Sequence, residues 1–344
     1  PRERIEGLSR CICALHQLFH PMQRIIHADT RRTAACNAAS VAAKLDIVIV
    51  TTGPHQLINA LPLEPQQFEH RSVDVEPSRL ALLPETFSDE NDVTCEFANA
   101  AMRLDVAARR IELADGAEID FEQALIATGS KPRPLAVAGA DHEGVFAIRN
   151  LADVNAMRPS LGRDGRAIII GGGYIGLEVA ACCRALGLEV VVLEAGERVM
   201  GRTTSEVVSG YFEGLHRGNG VRIEVGSIVE RIDRRPSGEL VVSTGEGHFV
   251  GDWVLVGIGA VPNDGLAQRA GLGVANGILV DACARTTAPG IFAAGDCTSF
   301  PSARYGRRIR LESVQNAIDQ AKVAAQAMLG LDVRYDPVPW FWSD

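Results

Sequence analysis

The eight cysteines of this 344-residue chain include no C-x-x-C pair. A redox-active disulfide of that spacing is therefore excluded, and eight cysteines in so long a chain do not make a disulfide scaffold. No apolar run reaches the ~18 residues of a membrane span, and the first residues carry no signal-peptide pattern; a cytoplasmic protein is expected. Lysine is almost missing, 3 residues against 31 arginines, which reads as a coding bias without functional content. Basic residues are also the minority, 34 against 43 acidic, for a net charge of −9. That disfavours nucleic acid or an anionic membrane as the main partner. Repeats and low-complexity tracts are absent. The length suits two or three domains and a sizeable core.

The most informative stretch runs from Ala167 to Glu194, AIIIGGGYIGLEVAACCRALGLEVVVLE. It reads as strand, glycine turn, helix, strand and acidic residue. Gly171, Gly173 and Gly176 give the G-x-G-x-x-G spacing, with Tyr174 and Ile175 between the last two. In a dinucleotide site the first glycine permits the tight turn, the second lets backbone approach a pyrophosphate, and the third lets helix pack on strand. The helix that follows turns its free N–H groups and positive dipole end to the phosphates. Glu194 stands 23 residues after Gly171, where a carboxylate binds a ribose 2′-hydroxyl and repels a 2′-phosphate. Ala195 follows it, so no adjacent base rewards a 2′-phosphate. The predicted ligand is NAD(H). Cys182 and Cys183 lie on the helix and read as packing.

The first 70 residues are different. They hold five of the eight histidines (His16, His20, His27, His55, His70) together with Cys11, Cys13 and Cys36. Zinc is the sharp reading of that enrichment; His16 and His20 are spaced H-x-x-x-H, but Cys11-x-Cys13 is not the C-x-x-C pair that would complete a closed tetrahedral site, and no metal is expected. Ile5, Leu8, Ile12, Leu15 and Phe19 recur at helical spacing, and Asp46 to Val50 suits a buried strand. That strand runs into Thr51-Thr52-Gly53-Pro54, which is not a phosphate-binding glycine turn. From about Leu82 the pattern becomes regular. Short β-prone runs fill 93–127, with a hairpin-like turn at Asp115-Gly116. The strand Ala124 to Ala127 leads into Thr128-Gly129. Beyond residue 194 the chain predicts a helix over about 205–216 and strands near 221–224, 239–243, 247–250 and 253–256. ILVD after Gly277, IFAAGDC at 291–297 and a last helix over about 312–329 complete it.

Six segments carry a family resemblance: ALIATGSKPRPL (124–135), IIIGGGYIGLEVAA (168–181), VLVGIGAVPN (254–263), IFAAGDC (291–297), RIRLESVQNAIDQAKVAA (308–325) and PWFWSD (339–344). In order and spacing the chain from about Leu82 onward resembles the FAD-dependent NADH:ferredoxin reductases, the group that includes rubredoxin and putidaredoxin reductases. The ATG and GD segments occur across two-dinucleotide flavoproteins; LESVQNAIDQAK followed by PWFWSD is narrower. The resemblance implies an α/β two-dinucleotide-binding-domain flavoprotein fold, an NAD Rossmann-like domain inserted in an FAD domain. The expected division is an atypical segment at 1–81, FAD-domain remainder at 82–150, NAD(H) domain at 151–273 and FAD-domain return at 274–344.

It also implies roles. Thr128 and Gly129 would pass close to the flavin nucleotide, with Arg133 reaching towards it. Asp296 would bond the ribityl chain of FAD, and Val314 would lie beside the isoalloxazine. Glu178 would stand where nicotinamide meets flavin, Glu194 would hold the NAD ribose, and Gly259 would line the nicotinamide pocket. Glu312 and Trp342 would border the flavin's outer face. Each has a structural competitor: Asp296 as a turn cap, Glu178 as a solvated helix carboxylate, Trp340 and Trp342 as interface aromatics. Arg304, Arg307, Arg308 and Arg310 could form a landing patch for an acidic ferredoxin, or simply a solvated strand face.

The departures are as specific. The first strand with its own G-x-G-x-x-G for the FAD pyrophosphate, the acid for the adenosine ribose and a lysine near the flavin are not recognisable in residues 1–81. The chain stops at Asp344, where members continue into a further domain, so an incomplete FAD half and no last domain are expected. The implied function is electron transfer from NADH through flavin to a ferredoxin or rubredoxin-type iron–sulfur protein. NADH yields two electrons as hydride, an iron–sulfur cluster accepts one, and flavin bridges the two. Another NADH-linked flavoenzyme, such as a nitrite reductase component or NADH oxidase, and a non-catalytic NAD(H)-binding protein remain as alternatives.

Overall fold

A computed structural model describes residues 23–29, 46–52, 93–96, 99–162 and 165–341. The helix expected at 5–19, the histidine and cysteine cluster outside His27, and Trp342 lie outside the described residues. In chain order the elements begin with β1 (Gln23–Asp29), β2 (Asp46–Thr52), β3 (Val93–Glu96), β4 (Ala101–Asp105), β5 (Arg110–Leu113), β6 (Glu118–Asp120), β7 (Gln123–Ala127) and β8 (Ser130–Pro132). Next come β9 (Val145–Phe146), α1 (Leu151–Met157), β10 (Arg166–Ile170), α2 (Tyr174–Ala185), β11 (Glu189–Glu194), α3 (Glu206–Gly218) and β12 (Val221–Val225). They are followed by β13 (Val229–Arg234), β14 (Leu240–Thr244), β15 (Gly247–Gly251), β16 (Trp253–Val256), β17 (Ala260–Pro262) and α4 (Gly265–Arg269). The last are β18 (Ile278–Leu279), β19 (Ile291–Ala293), β20 (Thr298–Ser302), β21 (Arg307–Ile309) and α5 (Val314–Met328). The described residues divide into two compact units, one holding those of 23–52, 93–131 and 261–341, the other those of 132–260.

The 132–260 unit is built on a five-stranded parallel sheet in the order β12-β11-β10-β16-β9. Parallel strands are covered on both faces, so they read as unbroken apolar runs. Side chains alternate between those faces with period two. Ala167, Ile169, Val190, Val192, Trp253 and Leu255 pack with Leu177, Val179 and Ala180 of α2. Ile168, Ile170, Leu193, Val254 and Val256 pack instead with Val229, Ile232, Leu240 and Val242, from the antiparallel β13-β14-β15 sheet. Cys182 and Cys183 belong to the helix-side core. Burial pushes both thiols up, Cys183 to about 12, so both are packing groups. Ser205 starts α3, its side chain accepting from the Val208 N–H, one residue before the helix and as the sequence predicts.

The other unit carries a mixed sheet, β19-β7-β2-β1-β3. β19, β7 and β2 are parallel, whereas β1 is antiparallel to both β2 and β3. β1 has no counterpart in the sequence expectations; β2 extends the expected 46–50 strand to Thr52. The antiparallel meander β4-β5-β6 turns at Gly116, φ +86°, with Asp115 Oδ1 accepting from the Ala117 N–H at 2.9 Å. α5 opens with Ser313, which accepts from the Asn316 N–H. The core of this unit joins Ile111, Ala124, Ile126, Ile291, Phe300 and Val323. No helix among the described residues is long and apolar enough to cross a membrane.

Candidate functional site

In the 132–260 unit, β10 ends at Ile170 and the chain turns at Gly171 with φ +109°, a left-handed value that side chains resist. A Cβ there would lie 2.4 Å from the Gly257 carbonyl oxygen, and a Cβ on Gly176 would lie 2.0 Å from that of Gly171. Backbone contact alone demands both glycines. Gly173 is different. Its φ −83° and ψ −174° are extended, and a Cβ would meet nothing within 4 Å. That open backbone is the N-cap of α2, which has no side-chain cap and no acid in its first turn. An uncapped helix start beside open backbone is a place for an anion such as a pyrophosphate. Tyr174 and Ile175 form the first turn, Ile175 exposed.

Glu194 closes the other side. Its Oε2 accepts from the Gly172 N–H at 2.6 Å and its Oε1 from the Gly196 N–H at 2.8 Å. The carboxylate thus ties the glycine turn to the loop after β11, and each oxygen keeps a further lone pair for a ribose hydroxyl. Gly259, φ +101°, follows β16. Arg202 Nη2 stands 3.1 Å from where a Gly259 Cβ would be, bringing a guanidinium to the turn. Sequence reasoning missed Arg202; eight residues beyond Glu194, it had no motif to mark it. Arg133 belongs to this unit and is exposed; its N–H donates to Gly259 O at 2.8 Å and its Nη2 to Ala260 O at 3.3 Å. Glu178 is half-buried on the second turn of α2, its backbone oxygen accepting from Cys182 Sγ at 2.9 Å.

In the other unit, hydrogen bonds string the expected flavin residues together. Asn263 holds the turn after β7 by three bonds: Thr128 Oγ1 donates to Asn263 O at 2.5 Å, Asn263 Nδ2 to Thr128 O at 2.8 Å, and Asn263 N–H to Gly129 O at 2.9 Å. Ser130 Oγ donates to Asp296 Oδ2 at 2.9 Å, and the Asp296 residue is buried at 2% exposure. Arg310 Nη1 reaches Asp296 O at 3.5 Å and Glu312 Oε1 at 2.6 Å. Glu312 therefore enters the region as the partner of a cation that is itself only 10% exposed. Val314 is the half-buried first residue of α5. Gln320, also on α5, accepts through Oε1 from the Gly295 N–H and the Thr298 hydroxyl, both at 2.8 Å, fixing the turn that presents Asp296. Asn263 sits in the VPN segment and Ser130 directly after ATG, so both were within reach of the motifs. Gln320 was not, because only the packing of α5 aims it at Gly295.

Two of the four arginines considered as a landing patch turn to the protein. Arg308 Nη2 donates to the carbonyls of Val280 and Ser299, and Arg310 is engaged as above; Arg304, Arg307 and Arg308 are exposed. A cavity of about 370 Å³ lined by Arg109, Gln123, Phe292 and Met328 opens at the first residues of β7 and contains none of the expected site residues. Among the described residues no group of three or more His, Cys, Asp or Glu is placed to hold a metal.

The family model of the pyridine nucleotide-disulphide oxidoreductases matches residues 32–321. The rubredoxin-NAD(+) reductase of Pseudomonas putida is 32% identical over 78% of this chain and 70% of its own length. The chain belongs to this family, in its ferredoxin reductase branch. Rhodocoxin reductase of Rhodococcus erythropolis is 40% identical over 272 residues, 79% of this chain and 64% of that relative. The chain thus spans just under two thirds of that reductase. Among solved structures, the covalent putidaredoxin reductase–putidaredoxin complex aligns with TM-score 0.75 and 35% identity over 78% of this chain and 66% of that one. The two-domain FAD/NAD oxidoreductase fold is shared.

Proposed function

We propose that this chain is the NADH-accepting part of an FAD-dependent ferredoxin reductase. It passes electrons from NADH to a ferredoxin or rubredoxin-type iron–sulfur protein that serves a Rieske dioxygenase or a cytochrome P450. The observation that carries the reading is the Gly171–Glu194 cradle: two glycines fixed by backbone contact, one open at a helix start, and a carboxylate tied to the turn. The residues present fit NAD(H). The pyrophosphate would lie against Gly173 and the N-terminus of α2, the adenosine ribose on Glu194, and the nicotinamide end towards Gly259 and Arg202. For FAD, Thr128, Gly129 and Asp296, held by Asn263, Ser130 and Gln320, fit the isoalloxazine–ribityl end, with Val314 and Glu312 beside it. The pyrophosphate end of FAD finds no such fit in β2.

A hydride donor and a one-electron acceptor need an intermediary, which is the chemistry a flavin supplies when bound. The protein's own share is binding, orientation and exclusion of water. Glu178, Glu312 and Trp342 are proposed as positioning groups, Arg133 as a backbone anchor of the Gly259 turn, and the cytoplasm as the setting. The NAD(H) domain, expected at 151–273 between FAD-domain parts at 82–150 and 274–344, is proposed as the 132–260 unit, with the residues from 261 onward in the FAD domain.

The test supplies NADH, FAD and a ferredoxin-type iron–sulfur protein to the purified chain and follows reduction of the cluster. NADH-dependent reduction that NADPH does not support is expected. Oxygen consumption at the same rate without the iron–sulfur protein would identify an oxidase and overturn the reading.

A further inference from the structure

Helix α3 shows its apolar side to solvent. A surface helix ordinarily turns that side inwards and its charges outwards. Here the inward row is Ser209, Phe212 and His216. Ser209 Oγ donates to Val199 O and accepts from Arg198 Nη1, Phe212 packs on the helix-side core, and burial lowers the His216 pKa. The outward row is Val207, Tyr211 and Leu215, at 83%, 65% and 45% exposure, with Val208 beside it at 40%. The charged residues Glu206, Glu213 and Arg217 keep to one edge, where Glu213 Oε1 accepts from Arg217 Nε at 3.0 Å. Single exposed apolar side chains are ordinary, but a contiguous run of them marks an interaction surface.

The shape of that face says what covers it. Val207, Tyr211 and Leu215 stand four residues apart and form a ridge along α3. Gly210, Gly214 and Gly218, also four apart, form a groove directly beside it, and a Cβ added at any of the three would meet nothing within 4 Å. Ridges and grooves of this spacing interdigitate when two helices cross at about −50°, and glycine in the groove brings the axes to the close end of the usual ~8–10 Å. A ridge and the groove that receives it lie on the same surface, which is what a two-fold interface between identical chains requires. The charges agree. α3 has Glu206 in its first turn and His216 and Arg217 in its last, so an antiparallel crossing sets acid end against basic end and opposes the two helix dipoles.

We infer that α3 is the contact face of a homodimer, in which Val207, Tyr211 and Leu215 of each copy lie in the Gly210–Gly214–Gly218 groove of the other across a two-fold axis. The glycines, which cost helix stability within one chain, are thereby explained as the seat of the second. A 13-residue helix is about 20 Å long and 10 Å wide, so the contact falls short of the ~800 Å² per partner of a standard interface. The dimer is accordingly weak and dissociates on dilution.

Sedimentation velocity of the whole chain from about 1 to 300 µM, the range suited to a small interface, tests this. The sedimentation coefficient should rise with concentration from that of a monomer to that of a dimer. Tyr211→Glu on the ridge would bury a carboxylate without a partner, and Gly214→Leu would fill the groove; each should raise the dissociation constant about tenfold or more. NADH affinity, titrated in parallel, should match the parent in both variants, which shows that they are folded. At about 1 µM, where the chain is monomeric, Gly214→Leu should be no less stable to urea than the parent, since leucine is the better helix former. A chain that stays monomeric at about 300 µM would overturn the inference, and so would a dimer that either variant leaves intact. An iron–sulfur protein whose binding both variants abolish, with the chain alone monomeric, would overturn it too and give the face to that partner.

Discussion

Replacing the glycines of the Gly171–Gly176 turn one at a time separates what the turn needs for folding from what it needs for a ligand. In Gly176→Ala the new methyl carbon would lie 2.0 Å from the Gly171 carbonyl oxygen. Backbone cannot yield as a flexible side chain does, so α2 must shift away from β10. Overpacking of this kind costs about 1–3 kcal/mol. Gly171→Ala meets Gly257 O at 2.4 Å and must also hold φ +109°, which adds about 1–2 kcal/mol. Gly173→Ala should behave in the opposite way. Nothing lies within 4 Å of its Cβ and its backbone is extended. Alanine is a poorer N-cap than glycine, but it loses less entropy on folding, by about 0.4–1 kcal/mol, so the net change in stability should be close to zero. A methyl group in that opening would, however, hold a pyrophosphate off the α2 N-terminus, and NADH affinity should fall tenfold or more, ~1.4 kcal/mol. Urea unfolding followed through Trp253, which is fully buried in this unit, reads the stability, and calorimetric titration reads NADH. The reasoning would be refuted by Gly173→Ala that binds NADH like the parent, or by Gly176→Ala that is fully stable.

Four further outcomes follow from the same geometry. The parent chain should prefer NADH to NADPH at least tenfold, ~1.4 kcal/mol, and Glu194→Ala should reduce that preference; equal affinities in the parent would remove Glu194 from the ribose. Arg202→Gln should weaken NADH several-fold and make binding less sensitive to salt, and an unchanged salt slope would show that the guanidinium faces no ligand charge. Arg166, bonded to Glu239 and Asp252 at 2.6 and 2.8 Å, holds the Glu239 carboxyl down at about 2, with Ser237 assisting. A carboxyl lowered on folding stabilises above its unfolded value and loses that contribution as pH falls from about 4.5 through 2. Glu239→Gln should therefore flatten the acid limb of the unfolding midpoint, and an unaltered limb would contradict the pairing. Gly210 and Gly214 lie inside α3 with no atom within 4 Å of a new Cβ, so alanine at either should stabilise this unit by about 0.5–1 kcal/mol; a lower unfolding midpoint would mean that the glycines serve a packing role.

Periodicity and punctuation alone marked β10, α2, β11, α3, β12, β14, β15 and β16 of the 132–260 unit, whereas β9, α1 and β13 had no counterpart in the sequence expectations. A parallel strand buried on both faces must be apolar throughout, so β10, β11 and β16 could be read directly from AIII, VVVL and WVLV. Ser205 and Asp115-Gly116 marked a helix start and a hairpin because cap and turn chemistry is local. The glycine spacing carried the cradle for the same reason. Tertiary structure decided what depends on residues far apart in the chain. It distinguished Gly173, open, from Gly171 and Gly176, closed, since only the approach of Gly257 to Gly171 and of Gly171 to Gly176 shows where a Cβ would fit. It brought Arg202 to Gly259 and aimed Gln320 at the turn presenting Asp296, across 57 and 25 positions that share no local pattern. It gave Arg308 and Arg310 bonds to Val280, Ser299 and Glu312, while Arg308 stays exposed beside Arg304 and Arg307. The antiparallel entry of β1 beside β2 was decided there too. Strand direction is fixed by which hydrogen-bonding partner the folded sheet offers, and the run QRIIHAD does not encode that partner.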